Sequence, residues 1–228
     1  MRENKIVVFA NQKGGCGKTL LCTLFANYAT QNNYPCCIID ADIQQSIYHR
    51  RLMDLNKFSQ DMEMLAPYKV QAFDISNRSN VEKLMEVAKQ QQGMVIFDTP
   101  GNVTQDGLKP IFLNADFIIC PFLYDTDTLG STGVFIRLLN EIKKQNPEMK
   151  AELIFVPNNI QKGVGLAEER KVWADADKLF ANYGKLAPKV ERKSCLPRYE
   201  TFFLRLEQSN VVEETFKFIL KQIYPRKR

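Results

Sequence analysis

An apolar, β-branched run, Ile6-Val7-Val8-Phe9-Ala10, leads straight into Asn11-Gln12-Lys13-Gly14-Gly15-Cys16-Gly17-Lys18-Thr19-Leu20. Beyond it Leu21, Leu24, Phe25 and Tyr28 recur at helical spacing, and Gln31-Asn32-Asn33 supplies turn formers where that helix should end. Strand, glycine loop and helix N-terminus in this order constrain the chain more than any other feature. The free N–H groups of a first helical turn converge where the loop closes, which makes an anion site. Gly14, Gly15 and Gly17 put no side chain in the way of a phosphate. Lys18 has the reach to meet the β- and γ-phosphates of a nucleotide, and the Thr19 hydroxyl can ligate a magnesium ion between them.

Two further strands end in carboxylates. Cys36-Cys37-Ile38-Ile39-Asp40 and Met94-Val95-Ile96-Phe97-Asp98 are short buried-type runs, and in a parallel sheet their C-terminal ends face the ligand crevice. Asp98 suits a Walker B role, holding a water on magnesium. Asp98-Thr99-Pro100-Gly101 spells D-x-x-G, in which the Gly101 N–H senses the γ-phosphate and couples its loss to loop movement. Val70 to Asp74, Phe117 to Pro121, Leu153 to Val156 and an edge run Leu186 to Val190 read as more strands. Ser79 with Glu82 forms a capping box opening a helix through Val81, Leu84, Met85 and Ala88. Other helices carry Val134, Leu138, Leu139 and Ile142, span Val164 to Tyr183 with Trp173 and Leu179-Phe180 on the sheet, and hold the stripe Val211, Val212, Phe216, Ile219, Ile223. Alternating strands and helices predict one α/β domain over residues 1–228, a doubly wound, mostly parallel sheet with helices on both faces.

Composition removes other classes. Of the 228 residues 45% are hydrophobic and 25% charged, enough to build a core and too ordered a mixture for a disordered chain. No apolar run reaches the roughly 20 residues that cross a bilayer, and no signal-peptide pattern precedes the first strand, so a cytoplasmic location is expected. Six cysteines lack C-x-x-C spacing and the single histidine, His49, has no ligand cluster, which disfavours disulfides and zinc. A net charge of +5 permits binding to an anionic polymer without requiring it.

The loop departs from the P-loop pattern G-x-x-x-x-G-K-[ST] at Gln12, and it carries a second lysine, Lys13, at its start. This resembles the deviant Walker A motif of the ParA/MinD group of P-loop ATPases. The resemblance implies that Lys13 reaches across an ATP-sandwich homodimer to the partner's phosphates, and that Gly14, Gly15, Cys16, Gly17, Lys18, Thr19 and Leu20 contact the nucleotide. Asp40-Ala41-Asp42-Ile43-Gln44 is similar to the group's Asp-x-Asp-Pro-Gln segment. It implies that Asp40 supports magnesium through water and that Asp42 orients the attacking water, a task of positioning more than of strong base chemistry. Ile43 replaces the usual proline, and Leu20 replaces a frequent hydroxyl residue. ATP is expected over GTP, because Gln161 stands where the guanine-reading Asp of N-K-x-D would be. An Asn faces adenine in the group, with Asn158 the match, Asn159 in reserve and Pro197 a weaker candidate.

Asn-Gln-Lys-Gly-Gly and Gln44 lean towards ParA partition ATPases, including the compact TraA-type relatives of Bacteroides conjugative transposons. That resemblance implies slow ATP hydrolysis, a DNA-binding adaptor or stimulating protein as partner, and non-specific DNA binding. Lys189, Arg192, Lys193 and Arg198, with Arg205 and the tail Arg226-Lys227-Arg228, are the candidate DNA contacts. A MinD-like switch on a membrane surface is the alternative, with the terminal apolar stripe as its anchor, although core packing is the better reading of that stripe. A P-loop ligase related to dethiobiotin synthetase ranks third, since Lys13 and the D-x-D-x-Q segment suit a switch.

Overall fold

The computed structural model describes residues 3–58, 65–102 and 106–225. Seven parallel strands form one sheet: β1 (Lys5–Phe9), β2 (Cys36–Asp40), β3 (Lys69–Ala72), β4 (Met94–Asp98), β5 (Phe117–Phe122), β6 (Glu152–Pro157) and the two-residue β7 (Lys185–Leu186). Their order across the sheet is β3-β2-β4-β1-β5-β6-β7. The connecting helices are α1 (Lys18–Gln31), α2 (Ser46–Phe58), α3 (Arg78–Ala88), α4 (Leu108–Asn114), α5 (Thr126–Gln145), α6 (Ala167–Ala181) and α7 (Leu206–Ile223). From β1 the chain first builds outward on one side and then, through β5, on the other. The loop after β1 therefore opens at the point where strand order reverses, the usual crevice of such sheets.

Alternation along β1 divides the core. Val7 and Phe9 face the layer of α1 and α7, while Ile6 and Val8 face α3, α4, α5 and α6. All five residues of β4 are buried, as a strand covered on both faces requires. The terminal apolar stripe is core: Val212, Phe216, Ile219 and Ile223 are buried, and Phe216 meets Phe25 of α1 edge-on at 5.4 Å. The membrane-anchor reading of that stripe is thereby corrected, because its apolar face is already occupied by α1.

Other expectations need correction too. Helix α3 is capped by Asn77, whose Oδ1 accepts the Asn80 N–H at 3.2 Å. Ser79 lies inside the helix and Glu82 pairs with Arg78, so no capping box forms there. The edge strand shrinks to Lys185–Leu186, with one isolated bridge between Ile160 and Glu191. Of the residues placed on the sheet from α6, only Phe180 is there. Trp173 instead stacks on Tyr124 at 5.1 Å, and Leu179 is exposed. The strand expected over Val70 to Asp74 runs over Lys69–Ala72, with the Phe73 N–H still donating to the Asp40 carbonyl at 2.9 Å. The tail Arg226-Lys227-Arg228 lies outside the described residues.

Candidate functional site

The glycine loop takes conformations that only glycine adopts easily. Gly15 and Gly17 have φ of +79° and +98°, and Gly17 is the residue before α1. A Cβ on Gly17 would also run into the side-chain amide of Asn158. Two anchors hold the loop from outside. Asn11, fully buried, donates from Nδ2 to the Pro121 carbonyl at 2.8 Å and to the Thr132 hydroxyl at 2.9 Å, which ties the loop's start to β5 and α5. Asn158, at the end of β6, donates to the Cys16 carbonyl at 2.9 Å. The sequence assigns Asn11 no anchoring role; it stands there only as the first residue of Asn-Gln-Lys-Gly-Gly, after an apolar strand.

The two loop lysines point differently. Lys18 is 7% exposed and donates from Nζ to the Lys13 carbonyl at 3.0 Å, across the mouth of the loop. Lys13 projects outward, its side chain 41% exposed, with Nζ 3.6 Å from Asp127 in the first turn of α5. Cys16 is buried and its thiol donates to the same Lys13 carbonyl at 3.3 Å. Leu20 packs against the core beneath α1.

Three strand ends lie in register beside this loop, with Phe9 opposite Asp98 and Asp98 opposite Asp40. Asp98 Oδ2 accepts the Thr19 hydroxyl at 2.7 Å, and Asp40 Oδ2 accepts the N–H groups of Ile47 and Tyr48, at 2.9 and 3.0 Å, in the first turn of α2. The second oxygens, Asp40 Oδ1 and Asp98 Oδ1, are buried without a partner. Burial pushes the Asp98 carboxyl up to about 8, the Thr19 hydroxyl working against this and the Asp40 charge adding to it. Asp40 is raised as well, chiefly by desolvation. A hydroxyl and two orphaned carboxylate oxygens form an all-oxygen set that fits magnesium, a hard cation that keeps several waters.

The remaining predicted residues gather at the same place. Asp42 is half-buried after β2, and its Oδ1 accepts the Gln44 N–H at 2.9 Å, shaping the turn that carries it. Ile43, where the related segment has proline, is 77% exposed. Gly101 lies against the glycine loop: a Cβ there would stand 3.1 Å from the Gly14 nitrogen, so the D-x-x-G segment and the phosphate loop touch. Asn159 has a φ of +57° and turns the chain away after Asn158.

The candidate DNA residues form a separate group. Lys189 Nζ lies 4.8 Å over the Tyr124 ring and 3.6 Å from Asp177. Lys193 is 3.5 Å from Glu191, Arg198 donates to the Ser194 carbonyl, and Arg192 is exposed. Arg205 is drawn to Glu200 at 2.7 Å.

Two measurements follow from this geometry. Replacing Gly17 with alanine adds about 1 to 2 kcal/mol of left-handed backbone strain and a collision with Asn158, so nucleotide affinity should fall by about tenfold or more; isothermal titration with ATP and magnesium checks it. The second concerns pH. With its folded value near 8 against an ordinary value of 3.8, Asp98 in the nucleotide-free protein keeps a proton that the unfolded chain releases. Stability from this group is full below pH 4 and is lost as pH rises towards 8, by at most about 1.4 kcal/mol per pH unit. Urea unfolding between pH 6 and 8 should show that slope and Asp98→Asn should flatten it; an unchanged slope in the variant would refute the assignment.

Comparison with known proteins gives the family. Residues 7–179 match the family described as the CobQ/CobB/MinD/ParA nucleotide binding domain. A maintenance of carboxysome distribution protein A from Halothiobacillus neapolitanus is 26% identical over 156 residues, 68% of either chain. Among solved structures, apo McdA from Cyanothece superposes with a TM-score of 0.75 at 14% identity, covering 97% of this chain and 100% of that one. A putative plasmid partition protein from Borrelia burgdorferi bound to AMPPNP gives 0.69 at 14% identity, covering 96% and 100%. The MinC:MinD cell division complex of Aquifex aeolicus gives 0.70 at 17%, covering 98% of each. The phosphate loop with its two lysines, the paired carboxylates and a match over most of the length place the chain in the CobQ/CobB/MinD/ParA nucleotide-binding family.

Proposed function

We propose that this protein is a ParA-type ATPase that hydrolyses ATP slowly, cycles between monomer and ATP-sandwich dimer, and positions or maintains a DNA element. The observation that carries this reading is the opposed pair of loop lysines. Lys18 turns inward over its own loop, while Lys13 stands outward at the mouth, where a second copy's phosphates would come within reach. Thr19, Asp98 and Asp40 would hold magnesium, which when bound supplies positive charge beside the β- and γ-phosphates. The N–H groups of Gly15 to Thr19 cradle the phosphates, and Gly101, against Gly14, reads whether the γ-phosphate is present. Asp42 orients the attacking water. Asn158 braces the loop through Cys16, and its remaining polar edge serves the adenine.

Lys189, Arg192, Lys193 and Arg198 supply the anionic-polymer face, and an adaptor protein that binds a DNA site stimulates hydrolysis. Plasmid partition proteins among the structural neighbours support DNA as cargo. The carboxysome-distribution relative marks a second reading, a protein body as cargo. Fluorescence anisotropy on random duplex DNA, with ATP and magnesium, tests the first. Affinity should fall steeply with salt, and Arg192→Ala and Lys193→Ala should each lower the slope of log K against log salt by about one. An ATP-bound protein with no affinity for duplex DNA at low salt would move the assignment to the protein-cargo reading.

A further inference from the structure

Helix α2 starts at the nucleotide site and ends in a buried polar clamp that the site does not explain. Its first turn is held by Asp40, the carboxylate whose other oxygen is orphaned. One turn further on, Arg51 is only 6% exposed and Asp54 only 4%. Both grip Thr201, itself fully buried. Arg51 donates from Nε to the Thr201 hydroxyl at 2.9 Å and from Nη2 to its carbonyl at 2.8 Å. Asp54 Oδ2 accepts the Thr201 N–H at 2.8 Å and its hydroxyl at 2.9 Å. The guanidinium also donates to the Tyr68 carbonyl at 2.7 Å and lies 4.8 Å from the rings of both Tyr68 and Phe202.

Thr201 belongs to the segment between β7 and α7 that carries Lys189 to Arg198. That segment is also bolted to α1, the helix that begins at the phosphate loop. Asn27 of α1 donates to the Glu200 carbonyl at 2.7 Å and to the Phe203 carbonyl at 3.1 Å, and Tyr68 donates to Asn27 Oδ1 at 2.8 Å. Glu200 in turn pairs with Lys57 of α2 and with Arg205. Both helices that start at the nucleotide thus end on one short stretch, residues 200–203. Glu200 Oε2 is buried without a partner, whereas Arg51 and Asp54 both bond Thr201, and buried polar contacts of that kind are stiff and directional, where an apolar contact would let α2 slide.

We propose that Arg51, Asp54 and Thr201 are positioning residues that carry a displacement of Asp40 and the first turn of α2 to the basic segment 189–205. They make the presentation of its cations depend on the nucleotide. The DNA consequence rests on the function proposed above; the mechanical coupling does not. Among the described residues none of the three has a hydrogen bond to the phosphate loop, so the effect is separable from nucleotide binding.

The test is amide hydrogen exchange with and without magnesium and ATPγS, on the full chain, in the unsubstituted protein and in Thr201→Val and Thr201→Ser. Valine keeps the shape and removes the hydroxyl shared by Arg51 and Asp54, and serine keeps that hydroxyl. Nucleotide should change exchange both at residues 12–20 and at residues 196–205 in the unsubstituted and serine proteins. With valine the first change should remain and the second should shrink by about fivefold or more, the range of typical coupling energies. Duplex-DNA affinity should lose its ATP dependence in the valine variant alone. Equal responses at 196–205 in the valine and unsubstituted proteins would overturn the coupling, and so would loss of nucleotide binding in the valine variant, which would make the clamp a plain structural brace. A normal exchange pattern without DNA binding in any of the proteins would leave the coupling standing and refute the DNA reading.

Discussion

The Asp42→Ala protein is expected to bind ATP with magnesium within about threefold of the unsubstituted affinity and to turn it over about 10²-fold more slowly or worse. Asp42 sits after β2, half-buried, and among the described residues its side chain has no hydrogen bond to the phosphate loop. Among the described residues its carboxylate bonds the Gln44 N–H, so alanine loosens a turn while leaving the cradle intact. A side chain that positions water acts on the transition state and leaves ground-state binding alone. Asp42→Asn separates shape from charge: asparagine can keep the Gln44 bond but cannot take a proton or orient water as a carboxylate does. The two variants should be slowed alike. An Asn variant with full turnover, measured by phosphate release, would remove Asp42 from the chemistry.

The second large effect belongs to Lys13. Lys13→Gln should leave fold stability almost unchanged, because its pair with Asp127 joins two largely exposed side chains and such pairs are worth about 0 to 1 kcal/mol. ATP should still bind, since Lys18 and the loop N–H groups remain. Turnover should nevertheless fall by about 10²-fold or more, as when a charge supplied in trans to a transferring phosphoryl group is removed. Mixing Lys13→Gln with Asp42→Ala protein then gives a sharp check. The proposed sandwich would pair the lysine of one copy with the water-orienting carboxylate of the other, so the mixture should recover part of the activity that neither has alone. Activity in Lys13→Gln equal to that of the unsubstituted protein would show that Lys13 serves no phosphate.

Much of this site is legible in the residues because backbone chemistry allows so few choices. Positive φ at Gly15 and Gly17, a lysine and hydroxyl closing the loop, and carboxylates ending β2 and β4 all occur at fixed spacing beside apolar runs. Helix α2 escaped the same reading for a physical reason. Its inward face carries Arg51 and Asp54, so the apolar period that reveals an amphipathic helix is broken by the groups that do the gripping. Helix α4 is only seven residues long with Pro110 in its first turn, too short for a period to show. Asn77 displaced Ser79 as the cap of α3 because the chain turns two residues before the pattern predicts. Trp173 and the shortened β7 depend on partners far along the chain, Tyr124 and β6, which no local pattern contains.

In the proposed cycle ATP brings two copies together face to face across their phosphate loops. Light scattering of the size-separated Asp42→Ala protein, with and without magnesium and ATP, tests it most directly. The mass should rise from the 26.3 kDa of one chain to twice that value only with ATP, and adding Lys13→Gln to the same protein should abolish the rise. A protein that binds ATP and stays at 26.3 kDa would contradict the account.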